Sequence, residues 1–172
     1  MILMWTGNLS VGIKYFDEDH KRLIGMIHDL HFAIKEVDGA GQIAEDEIDI
    51  ALHRLENYFQ YHCKQEEVFM AKVGYPGLEA HKLHHAGFLA KVTEMSQSFA
   101  GSRDPAHAAA LMQFMYDWLT NHINVEDKKY GEFLFSEKIS QEILEKSKPS
   151  GAGRNRILLG GSPDVRSTGN RH

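Results

Sequence analysis

Apolar residues return every three or four positions along four long stretches of this chain, with polar residues between them. The second stretch shows it most regularly, as Ile48, Leu52, Leu55, Phe59, Phe69 and Val73. The third carries Leu78, Phe88, Val92, Met95 and Phe99, the fourth Ala108, Leu111, Met115 and Trp118, and the first Leu23, Ile24, Ile27 and Ile34. Such steps gather the apolar side chains on one face of an α-helix, and no alternating run competes as a strand.

Boundary signals frame the four stretches. Asp17, Glu18 and Asp19 suit the positive end of a first helix that stops at Asp38-Gly39. A second helix is predicted from about Glu45 to Val73, halted by Gly74 and Pro76. The third is expected from about Gly77 to Phe99. Asp104-Pro105 opens the fourth, a cap residue followed by proline at the first helical position. The fold class is therefore all-α, an up-down-up-down four-helix bundle with an N-terminal arm over residues 1–16.

Seven polar residues interrupt the apolar stripes at core-facing positions: His20, His62, Glu66, His81, His85, His122 and Asp127. Their spacings are a lone His, then HxxxE, HxxxH and HxxxxD. Polar groups facing a bundle centre cost free energy unless partnered, and five imidazoles with two carboxylates cannot satisfy one another. A pair of cations would accept all their lone pairs. Residues four apart lie about 6 Å apart along one helix face, so His62/Glu66 and His81/His85 can each grip one centre. Asp127 would sit about 140° around an ideal helix from His122, so the fourth helix must widen as a π-turn or end near Val125.

Counting ligands extends the reading. Two octahedral cations offer twelve positions; five imidazoles, two bridging carboxylates and one solvent-derived bridge fill eleven, leaving one for a small molecule. Imidazole with carboxylate suits iron, manganese or zinc, and iron makes a vacant position useful for dioxygen. A histidine-rich set holds less negative charge than the carboxylate-rich di-iron sites of oxidases, which favours reversible binding over O–O cleavage.

Composition narrows the setting. The 172 residues suit one domain with an appendage, and a 42% hydrophobic fraction supports a buried core. Residues 1–138 carry 13 basic and 21 acidic residues, so −8; residues 139–172 carry 6 and 3, so +3. The overall balance of −5 gives no reason to expect nucleic acid as a partner. Cys63 is the single cysteine, no apolar run approaches a membrane span, and a cytoplasmic protein with no membrane association is expected. The domain expectation is a bundle over 1–138, then a short helical extension near 136–146 and a flexible basic tail. From 149 onward Gly, Ser and Arg dominate without periodicity, which predicts disorder; a protein partner for that tail is unknown.

The segment Phe16-Asp17-Glu18-Asp19-His20-Lys21, the two spaced pairs and Trp118-Leu119-Thr120-Asn121-His122-Ile123 resemble those of the hemerythrin family, in its single-domain bacterial form. The likeness spans about 1–137, and all seven ligand positions are filled in order. The resemblance implies two iron ions, a non-haem di-iron centre with an oxo or hydroxo bridge. His81, His85 and His122 would hold one iron, His20 and His62 the other, and Glu66 and Asp127 would bridge them. It further implies dioxygen as the ligand, bound for transport, storage or delivery without catalysis. Leu119 would close the oxygen pocket, and Tyr130 would be the aromatic beneath the site. One position departs: Cys63 stands where the family commonly has an aromatic residue, which implies looser shelter around the two-histidine iron.

Other residues read more plainly. His31 lies three turns from His20 and is a boundary histidine; His28, His53, His84 and His107 fall off the stripes and read as surface. Cys63, Met112 and Met115 read as core filling, and Trp118 with Phe59 as the dry wall of the site. Two rival functions use the same seven residues: a di-iron oxidase or peroxidase, and an oxygen or redox sensor that reports through its tail.

Overall fold

The computed structural model describes residues 4–40, 42–102 and 104–136, side chains at 36–46 and 105 excepted. Helix α1 spans Lys14–Ala40, α2 Gln42–Val73, α3 Leu78–Ser102 and α4 Pro105–His122; a π-helix over Ile123–Asp127 leads into α5, Lys128–Ser136. No strand occurs among the described residues. Each long helix packs on its chain neighbours, and α4 returns to α1, which closes a four-helix ring. The predicted extension beyond 136 and the tail lie outside the described residues.

Local chemistry explains the boundaries. Asp104 caps α4 by accepting the Ala106 N–H at 2.8 Å. Gly74 ends α2 at φ 70, with its own N–H on the Ala71 carbonyl and that of Tyr75 on Met70. These paired bonds are a Schellman close, which needs the left-handed conformation that glycine adopts without strain.

Helix α1 starts at Lys14, earlier than expected, and Asp17 lies inside its first turn. Its carboxylate accepts the Val11 N–H at 2.8 Å and the Ser10 hydroxyl at 2.6 Å, tying the N-terminal arm to the helix. The arm contains a 3-10 turn, Gly7–Leu9, and buries Leu9 and Val11. Val11 presses its carbonyl against Gly131 so closely that a Cβ there would overlap the oxygen.

The core largely follows the predicted stripes, with additions. Leu23, Ile24 and Ile27 are buried, but the α1 stripe continues through Leu30, leaving His31 and Ile34 half-buried. Phe16, Tyr58 and Met70 are fully buried aromatics and filler that the stripes omitted. His28 is half-buried, with its Nε2 enclosed, a correction to its reading as surface; His53, His84 and His107 are exposed.

Candidate metal centre

Each of the four long helical segments brings its interrupting polar residues to one place. Helix α1 contributes His20, α2 His62 and Glu66, α3 His81 and His85, and α4 with the π-helix His122 and Asp127; none is more than 3% exposed. The π-helix performs the widening that the five-residue spacing requires. Ile123 donates to both the Leu119 and Thr120 carbonyls, and the Asn124 side-chain amide donates back to Thr120 at 3.0 Å. Asp127 thereby faces inward with His122, their facing atoms 3.0 Å apart.

The donor atoms form two overlapping groups. Glu66, His81, His85 and His122 make one, and His20, His62 and Glu66 the other, each with its ligating atoms within 4.8 Å of one another. The His122 Nε2 lies 3.1 Å from that of His85 and 3.2 Å from that of His81. Neighbouring nitrogens on one cation at bonds of about 2.1 Å stand about 3 Å apart, so the spacing fits a shared ion.

Both carboxylates straddle the two groups. Asp127 directs Oδ2 at His20, 3.3 Å away, and Oδ1 at His81, 3.5 Å away, as well as at His122. Glu66 sets Oε1 3.6 Å from His20, while Oε2 lies 3.5 Å from His62, 3.6 Å from His81 and 3.4 Å from His85. Glu66 Oε2, both Asp127 oxygens and His20 Nε2 are buried without a hydrogen bond. Buried polar atoms without hydrogen bonds are costly, and these lie between the two groups of imidazoles. The residues present therefore fit a pair of cations.

Electrostatics agrees with that fit. Burial would raise the Glu66 carboxyl, yet the surrounding His62, His20, His81 and His85 hold it well below the usual range. Burial and the Glu66 charge push Asp127 up, but His122 and His20 prevail and lower it. Burial opposes a charge on His20, which Asp127 and Glu66 nevertheless hold up to about 10. His85 rises to about 11 against burial, because Cys63 and Glu66 lie beside it. Burial lowers His122, with Asp127 opposing. The raised His20 thus answers the two carboxylates, whereas the raised His85 answers Cys63 first and Glu66 second.

Supporting contacts hold the donors in place. The Tyr130 hydroxyl, fully buried, donates to Glu66 Oε1 at 2.6 Å. Its ring packs edge-on against His81, Phe16 and Phe69. Trp118 stacks on His122 at 4.1 Å and on Phe88 at 4.0 Å, and Phe59 closes against Phe88. Trp118 and Phe59 therefore form a wall at the three-histidine side. Leu119, one turn before His122, is buried in the same core. Cys63 is buried beside His85, so it borders the three-histidine group, where the sequence had placed its effect at His20 and His62.

Sequence reasoning missed the outer partners. Glu67 Oε1 lies 3.2 Å from His85 Nδ1. Asp19, wholly buried next to His20, accepts the Tyr58 hydroxyl at 2.8 Å. The doublet Glu66-Glu67 offered a hint, since adjacent helix positions differ by about 100° and the second carboxylate must face another neighbour.

Comparison with known proteins agrees with this arrangement. Residues 11–134 match the family model of the hemerythrin HHE cation binding domain. The chain is 32% identical over 156 residues to a bacteriohemerythrin of Pseudomonas aeruginosa, covering 91% of this chain and 95% of that one. It is 30% identical over 134 residues to a bacteriohemerythrin of Methylococcus capsulatus, covering 77% and 97%. A crystal structure of a hemerythrin mutant superposes with a TM-score of 0.65 at 30% identity, over 77% of this chain and 97% of that one. With its fold, its cluster of buried donors and most of its length in agreement, the chain belongs to the hemerythrin family.

Proposed function

We propose that this protein binds dioxygen reversibly at a non-haem di-iron centre, as a carrier or store rather than an enzyme. The observation that supports this most is the pair of buried carboxylates whose unpartnered oxygens straddle two imidazole groups. In this reading His81, His85 and His122 hold one iron, His20 and His62 the other, and Glu66 and Asp127 bridge both. Two irons with an oxo or hydroxo bridge would supply the electrons and the open position that dioxygen binding needs.

The chain supplies the rest. Tyr130 steadies Glu66 through its 2.6 Å hydrogen bond, and the π-helix aims Asp127. In this reading Leu119 would close the oxygen pocket, and Trp118, stacked on His122 and backed by Phe88 and Phe59, would keep water and anions away. Such a dry wall opposes loss of the bound molecule as a charged, hydrated product. Among the described residues no helix is long and apolar enough to cross a membrane. The lone cysteine fits a reducing compartment, and we place the protein in the cytoplasm.

The test is anaerobic ferrous loading, iron analysis, then repeated cycles of air and argon followed by visible absorption. Two irons per chain and a band that appears and vanishes through successive cycles are expected. A single irreversible change on first exposure, or steady turnover with an added electron donor, overturns the carrier reading.

A further inference from the structure

Of the five imidazoles at the centre, His85 has an anion on its outer nitrogen. Its Nε2 points inward, 3.1 Å from that of His122, so in the neutral ring the proton sits on Nδ1. Glu67 Oε1 lies 3.2 Å from that nitrogen and accepts its proton in a hydrogen bond. Glu67 is placed for this by being one residue beyond Glu66 on α2, and it keeps 18% of its side chain exposed. Lys64, one turn earlier, approaches its other oxygen at 4.0 Å and steers it from the solvent side. Cys63 also borders His85, but a thiol is a weaker hydrogen-bond partner than a carboxylate.

The two-histidine group is different. The Nδ1 atoms of His20 and His62 are buried without a hydrogen-bond partner. Those rings are held by packing, as where His62 meets His20 at 4.8 Å and Phe16 at 6.2 Å. A carboxylate on the outer nitrogen fixes the tautomer and orientation of a ligating imidazole and makes its inner nitrogen more basic; losing such a partner commonly costs about 10–100-fold in metal affinity.

We propose that Glu67 is a positioning residue for the three-histidine half of the centre, and that it makes this half the tighter cation position and the first to fill. The inference rests on the reading of two cation positions given above. It concerns the order of binding, which oxygen chemistry does not report.

Cobalt(II) alone serves as the probe, titrated anaerobically into the metal-free full chain against a competing chelator. The wild type is expected to take up two equivalents in two resolved steps. E67A should weaken the first step by about 10–100-fold and leave the second nearly unchanged. E67Q, which keeps an acceptor oxygen but loses the charge, should fall between them. H62A should abolish the second step and spare the first. In the cobalt protein, a solvent-exchangeable imidazole N–H resonance should exchange faster in E67A than in wild type, which a merely structural role would not cause. Far-UV circular dichroism checks that each variant folds. Two equivalents bound with an unchanged first step in E67A, or a loss confined to the second step, overturns the role of Glu67. Uptake of only one equivalent by the wild type overturns the two-cation reading instead.

Discussion

Replacing Tyr130 with phenylalanine isolates one atom's contribution to the centre. The ring stays, with its edge contacts to His81, Phe16 and Phe69, and only the hydroxyl that donates to Glu66 is removed. Burial and the charges of Glu66 and Asp127 push the Tyr130 hydroxyl well above its ordinary pKa, so it remains a donor at every practical pH. The acceptor, Glu66, is a fully buried carboxylate held in its ionised form by the surrounding imidazoles. Hydrogen bonds to charged groups contribute roughly 1.5–3 kcal/mol, and removing one partner leaves the other desolvated. His20 Nε2 lies 3.6 Å from Glu66 Oε1, too distant to replace the lost bond at full strength. The metal-free Y130F protein should therefore lose about 2 kcal/mol. With a urea slope of about 2 kcal/mol/M, the midpoint should fall by about 1 M. The loaded protein should lose less, because bound cations also neutralise Glu66. Urea unfolding of both forms under argon, with unchanged slopes, gives the comparison. A metal-free loss below about 0.5 kcal/mol would refute the reasoning that this hydroxyl supports the carboxylate.

Further outcomes test other parts of the structure. Cation uptake near pH 7.5 should release at least two protons, since His20 and His85 hold theirs up to about 10 and 11 when no metal is bound, and a hydroxo bridge formed from water would add a third. Titration in a weakly buffered solution with a pH indicator would measure the release, and no release would contradict those protonation states. Because their folded pKa values are raised, these imidazoles stabilise the metal-free fold fully below about pH 6.5. That contribution should fade as pH rises through about 10 and 11. The depressed Glu66 and Asp127 act oppositely, and their contribution is lost in acid. His122, lowered by burial, costs stability below about pH 6.5, so denaturation midpoints of the metal-free protein should be highest near pH 6.5, and a maximum near pH 10 would contradict this. G131A should cost about 1–3 kcal/mol and loosen the N-terminal arm, because its Cβ would meet the Val11 carbonyl; faster proteolysis of that arm is the readout. D104A removes the cap of α4 and should cost about 1 kcal/mol in thermal unfolding, without altering metal stoichiometry.

The bundle was legible in sequence because core burial imposes a helical period on apolar residues, and that period survives in one dimension. Leu52, Leu55, Phe59 and Phe88 announce a buried face without reference to any partner helix. The seven interrupting residues were legible for the same reason: they occupy core positions where polarity is costly, and the five-residue step from His122 to Asp127 demanded a widened turn that the structure contains. Asp17 shows where this kind of reading stops. Its charge near a helix start is visible in sequence, whereas its grip on Ser10 and Val11 depends on the path of an irregular arm.

Periodicity fixes which face a side chain occupies, so the chain alone determined the four helices and most of the residues that enter the core, though not Leu30, Tyr58 or Met70. It could not fix which atoms meet across helices, because that depends on the rotation and depth at which each pair packs. Tertiary packing therefore decided that Glu67 reaches His85, that Tyr130 reaches Glu66 over 64 residues, and that Cys63 borders the three-histidine side. Contacts of that kind span separate helices, and a difference of a fraction of a turn separates a hydrogen bond from no contact at all.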